Sequence, residues 1–165
     1  MNKRGFLLAE ETLKIILAVI AIFFLIYFLF ALYFSSVHAA KLKQAEEVLK
    51  IPPETIGMAI DRVRTTGISE PKPVPAPTGW YVFGFVSGIK PNSCAGKNCL
   101  CICENVWKLN PVKFWKGEDE RQVQECGDKG TCLIVEDLKN SLEKEIGTNT
   151  ISLDIKKSDG GIEIR

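Results

Sequence analysis

The chain has 165 residues, and its 21 basic against 20 acidic side chains leave a net charge of +1, so no overall positive field gathers nucleic acid. A single histidine, with no paired acidic motif, glycine-rich phosphate loop or nucleophile elbow, leaves little material for an enzyme or a cofactor site. Six cysteines beside roughly 100 residues of non-membrane chain fit one small disulfide-rich domain in an oxidising compartment.

The N-terminal stretch organises the rest. From Ile15 to Phe34 the chain is apolar without a charge, proline or glycine. About 20 such residues cross a bilayer as a helix, the one form that satisfies its own backbone in lipid, so a transmembrane segment is expected at about 13–34. Lys3 and Arg4 on the short flank predict that this end stays in the cytoplasm and the C-terminal part lies outside. The localisation read from the sequence is therefore a cytoplasmic membrane, crossed once.

Lys3-Arg4-Gly5, then Phe6-Leu7-Leu8-Ala9-Glu10 and the apolar run, resembles the class III signal of type IV prepilins and archaeal pilin-like proteins. The resemblance extends to about Ala40. It implies that residues 1–5 are a leader, that a prepilin peptidase cuts between Gly5 and Phe6, and that residues 6–50 form the long N-terminal helix of the mature chain. It also implies that Glu10, the fifth mature residue, neutralises the new amino terminus of Phe6 on a neighbouring subunit during assembly. The partners it implies are the membrane, other pilin-like subunits and the peptidase, in an extracellular filament or a secretion pseudopilus. Ala9 and Glu11 depart from the larger apolar residues of bacterial pilins, and Tyr27 stands where a helix-bending proline is usual, which points to an archaeal-type or divergent member. An ordinary secretory signal has a shorter apolar region. An uncleaved anchor carrying a binding module, with Glu10 and Lys14 as a simple i, i+4 pair, is the competing reading.

Past the membrane, Leu42, Ala45 and Leu49 share a helical face, so the helix is expected to continue to about Lys50, where Pro52-Pro53 ends it. Ile56, Ala59, Ile60 and Val63 predict a short second helix closed by Gly67. Alternating prolines from Pro71 to Pro77 read as an extended spacer, so 51–79 is expected to be a short helix and linker ahead of a domain at 80–165. That domain opens with Trp80–Val86, aromatic and β-branched on both faces, as a central strand. Cys99–Cys103 and Thr131–Val135 are further strands, the latter set off by a turn at Gly127–Gly130, and Asn105–Gln124 is irregular apart from one edge strand. Asp137 caps an expected helix bearing Leu138, Leu142 and Ile146 and ended by Gly147. Thr150–Ile155 and Ile162–Ile164 form a hairpin about Asp159-Gly160-Gly161. The fold class is α+β: a long transmembrane helix, then a small disulfide-rich antiparallel sheet with one packed helix.

Cys99, Cys101 and Cys103 fall on one strand face, with successive Cα atoms about 6.5 Å apart and badly aimed for bridging one another. Each should take a partner from Cys94, Cys126 and Cys132, and Cys94 with Cys99 is the easiest to close. Zinc is the alternative for these thiols. It needs sulfurs about 3.8 Å apart, which alternate residues of a flat strand do not reach without distortion.

Overall fold

The computed structural model describes residues 3–51, 54–105 and 118–165, with the backbone alone for 3–11 and 118–119. The side chains of Phe6 and Glu10, the Pro52-Pro53 helix stop, and Trp107, Phe114 and Trp115 lie outside the described residues. The chain divides into two compact units, Met1–Ala40 and Lys41–Arg165.

The first unit is a single helix. Helix α1 spans Lys3–Leu49, 47 residues, so its last turns belong to the second unit. Its apolar side chains between Leu13 and Phe34 are exposed, Tyr27 at 72% and Phe23 at 68% being the extremes. A helix whose described side chains are apolar and exposed on every face has the pattern of a membrane span rather than of a core helix. The stretch beginning at Thr12 is long and apolar enough to cross a bilayer.

The second unit is built on two antiparallel sheets. The larger has the order β4-β3-β2-β5, formed by β2 (Tyr81–Phe85), β3 (Cys99–Cys103), β4 (Thr131–Ile134) and β5 (Leu142–Glu145). The smaller has the order β1-β6-β7, formed by β1 (Glu70–Val74), β6 (Ile151–Ser158) and β7 (Gly161–Ile164). Helix α2 (Ile56–Thr66) starts at Thr55, whose hydroxyl accepts from Met58 N (3.1 Å). It ends at Gly67, whose φ of 72° lets its N–H return to Val63 O (2.9 Å). That cap and the four predicted inward residues, Ile56, Ala59, Ile60 and Val63, are as the sequence implied.

One core gathers Ala45 and Leu49 of α1, the inner face of α2, Trp80 and Val82, Leu100 and Ile102, and Leu153, Ile155, Ile162 and Ile164. The opposite faces of β2 and β3 are also buried, in a second cluster of Tyr81, Phe83 and the six cysteines. Strand β2 is therefore covered on both sides, as its composition predicted.

Three sequence expectations are corrected. The proline segment is not a spacer: β1 pairs with β6, Glu70 opposite Ile155 and Val74 opposite Ile151, so residues 51–79 contribute elements to the folded unit instead of linking to it. Proline fits because β1 is an edge strand. Asp154 exchanges both backbone hydrogen bonds with Arg165, on the β7 side, so its β1 neighbour Pro71 occupies a position that owes β6 no donor.

The expected helix after Asp137 is a turn followed by strand β5. Leu138 N donates to Val135 O, Lys139 N to Ile162 O and Ile162 N to Asp137 O, while Asn140 bridges both backbone groups of Ile164. These bonds tie the turn to the β6–β7 hairpin, and Leu142–Glu145 then spend their backbone groups on pairing with β2 instead of on a helical ladder. The region expected to be irregular contains helix α3 (Glu118–Lys129), and the supposed turn at Gly127–Gly130 is that helix's end.

Candidate functional site

Two places carry the sequence-derived candidates, and they are far apart in the chain. The first is the N-terminus of α1. The backbone is helical from Lys3 through the Gly5-Phe6 junction and Glu10 without interruption. The residues Thr12 to Phe34 that follow are exposed along their length.

The second is the cysteine layer on the outer face of β2 and β3. Alternation along β3 puts Cys99, Cys101 and Cys103 on one face. Their partners come from three directions: Cys94 from a short 3-10 turn (Asn92–Cys94), Cys132 from β4 and Cys126 from α3. The bridges are Cys94–Cys99, Cys101–Cys132 and Cys103–Cys126, the connectivity family the sequence allowed, with no pairing inside β3. Cys101 and Cys132 are direct cross-strand partners in the β3/β4 register, with Cα atoms 4.1 Å apart.

The packing of this layer corrects one geometric expectation. The sulfurs of Cys99 and Cys101 are 3.9 Å apart although the residues alternate on one strand, and those of Cys94 and Cys101 are 3.8 Å apart. Twist of the strand and side-chain rotation bring them closer than a flat strand would. Gln122 of α3, buried and unforeseen from the sequence, donates from Nε2 to Glu104 O (2.8 Å), with Cys126 Sγ at 3.4 Å and Cys103 Sγ at 3.6 Å. Gly130 permits the close return from α3 to β4. A Cβ there would lie 2.6 Å from Cys103 Cβ and 2.9 Å from Ile102 O.

Beside the bridges, Tyr81, Phe83 and Phe85 stack along β2 with centroid spacings of 5.9 and 6.0 Å. They line a groove of about 700 Å³ whose polar rim includes Asn105, Gln122 and Glu143. Asn105 Nδ2 donates to Glu143 Oε1 (3.0 Å), and Tyr81 Oη donates to Glu145 Oε2 (2.9 Å). Elsewhere Arg64 of α2 holds the Asp137 carboxylate through both Nε and Nη2. Those hydrogen bonds keep the Asp137 carboxyl below its usual range against the opposing effect of burial, and Asp137 in turn raises Arg64.

Compared with family models, curated proteins and solved structures, the chain matches none of them.

Proposed function

We propose that the chain is a membrane-anchored, pilin-like structural subunit of a type IV pilus-like filament or secretion pseudopilus. The observation that carries this reading is the junction Lys3-Arg4-Gly5-Phe6 with Glu10, placed directly ahead of an apolar helix that runs on without a break. In support, α1 does not stop at the end of its apolar part. Its last turns supply Ala45 and Leu49, both fully buried, to the core of the Lys41–Arg165 unit. One continuous helix then serves as anchor, as subunit contact and as part of the domain it carries. The domain lies outside the membrane in this reading, where its three bridges persist. The role is structural rather than catalytic, and prepilin peptidase and other pilin-like subunits are its partners.

Intact-mass analysis of protein from its native membrane tests the cleavage. A mature chain beginning at Phe6 is expected, and a species retaining Met1 in the presence of a prepilin peptidase overturns it. Glu10 provides the second test. A carboxylate inserted into the bilayer costs roughly 2.5–3.5 kcal/mol, so it requires a partner inside a helical bundle, and the new amine of Phe6 on a neighbour is the proposed one. Glu10→Gln should abolish assembly while membrane insertion, cleavage after Gly5 and folding of the domain continue.

The aromatic groove on β2 favours a second reading, an uncleaved single-pass anchor that presents a binding module. Normal assembly by the Glu10→Gln variant, or wild-type protein that never co-purifies with a filament system, selects it.

A further inference from the structure

We propose that the neighbouring bridges Cys94–Cys99 and Cys101–Cys132 are the oxidised form of a four-thiolate site for a soft cation such as zinc(II). The sulfurs of Cys94, Cys99 and Cys101 all lie within 4.8 Å of one another and are buried. A tetrahedral zinc tetrathiolate with bonds of about 2.3 Å has edges of about 3.8 Å between sulfurs. Two edges of one triangular face are already present at that length, Cys94 to Cys101 at 3.8 Å and Cys99 to Cys101 at 3.9 Å. The third edge is the Cys94–Cys99 bridge itself, which opens to nonbonded distance once reduced. Cys132, fixed opposite Cys101 in the β3/β4 register and 7% exposed, supplies the fourth corner.

The same distances argue against one route of the other chemistry open to adjacent bridges, exchange by attack of a Cys101 thiolate on the Cys94–Cys99 bridge. A thiolate attacks a disulfide along the axis of its S–S bond. Cys101 Sγ is almost equidistant from the two sulfurs of its neighbour, and so lies broadside to that bond. The site also has a natural boundary. The third bridge, Cys103–Cys126, sits against the Gln122 amide and shares no sulfur with the close triangle, whereas Cys132 lies outside that triangle but is bonded to its member Cys101.

Each of the two bridges takes up two electrons and two protons, giving four thiols. A dithiol supplies both and becomes a disulfide; a phosphine supplies the electrons and becomes its oxide, while water supplies the oxygen and the protons. The ion then forms four sulfur bonds and releases up to four protons to solvent. This inference stands on the cysteine layer alone and is independent of the filament reading.

The test uses the full chain in detergent, reduced anaerobically with a phosphine until all six thiols are free, then titrated with cobalt(II) and afterwards with zinc(II). One cobalt per chain is expected, with the sulfur-to-metal charge-transfer and tetrahedral d–d bands of a thiolate site, displaced by zinc. The oxidised chain should bind none. Cys94→Ser and Cys101→Ser should each lose the tetrathiolate spectrum, whereas the double variant Cys103→Ser/Cys126→Ser should keep it. Three results overturn the proposal: no uptake by the fully reduced chain, equal loss of uptake in every cysteine variant including the Cys103/Cys126 pair, as for binding by an unfolded chain, or a Cys94–Cys101 bridge on partial reduction, which marks exchange.

Discussion

Replacing Leu49 by alanine tests whether α1 is part of the folded domain or only its stalk. Leu49 is fully buried in the core with Ile56, Ile60 and Trp80 as fellow members, although it closes a helix whose apolar part is exposed. Leucine-to-alanine changes in cores cost about 2–5 kcal/mol, and a site at a helix end can relax somewhat, so about 3 kcal/mol is expected. At roughly 4 °C per kcal/mol for a domain of this size, the midpoint should fall by about 12 °C. The assay is thermal unfolding of the oxidised full chain in detergent, followed by near-ultraviolet circular dichroism, in which the fully buried Trp80 is a local reporter. Leu25→Ala is the control, since Leu25 is 59% exposed in the apolar stretch and should leave the midpoint in place. A fall of less than about 3 °C for Leu49→Ala, against the expectation for a core leucine, would refute the claim that the end of α1 is core.

The bridges should differ in worth with the length of chain they close. Separations of 31, 23 and 5 residues correspond to about 3.7, 3.4 and 2.1 kcal/mol for Cys101–Cys132, Cys103–Cys126 and Cys94–Cys99, so paired serine variants followed by chemical denaturation should rank in that order. The Arg64–Asp137 pair predicts an acid limb. Asp137 titrates below its unfolded value of 3.8, so its contribution is complete above that pH and disappears as pH falls through the lower folded value. With the two side chains 37% and 33% exposed, screening holds the effect to about 1 kcal/mol or less, and Asp137→Asn should flatten the melting temperature in that acid range. Gly130→Ala should destabilise by about 1–3 kcal/mol through its clash with Cys103 and Ile102, while Gly147→Ala, with nothing nearer than 3.9 Å, should change stability little.

The elements that were legible in the sequence had only one periodic reading. The apolar run, the α2 face with its Gly67 cap, the alternation of Cys99–Cys103 and the Asp159–Gly161 hairpin each admit one geometry. Leu138, Leu142 and Ile146 do not, because a spacing of four is even and suits a strand as well as a helix. In the structure Leu142, Lys144 and Ile146 face inward to differing degrees, and the central lysine hides the alternation. Helix α3 is illegible in the sequence because its inward face is small: Val123 and Cys126 beside Gln122, which reads as surface. The acidic start Glu118-Asp119-Glu120 and terminal Lys129 are the signal that was available. The closeness of the cysteine sulfurs could not be read at all, since it depends on strand twist and rotamers.

The prolines of β1 have a consequence for crowding. An exposed sheet edge invites another strand to pair with it, which is a hazard wherever many copies of a domain are held close together. In β1 the residues whose backbone faces away from β6, Pro71 and Pro73, have no N–H to offer an incoming strand. This rim of the smaller sheet offers carbonyl acceptors but no donors at those two positions, so main-chain pairing there is weakened and side chains carry more of any contact between copies. Their arrangement can then be set by shape and charge rather than by accidental extension of a sheet.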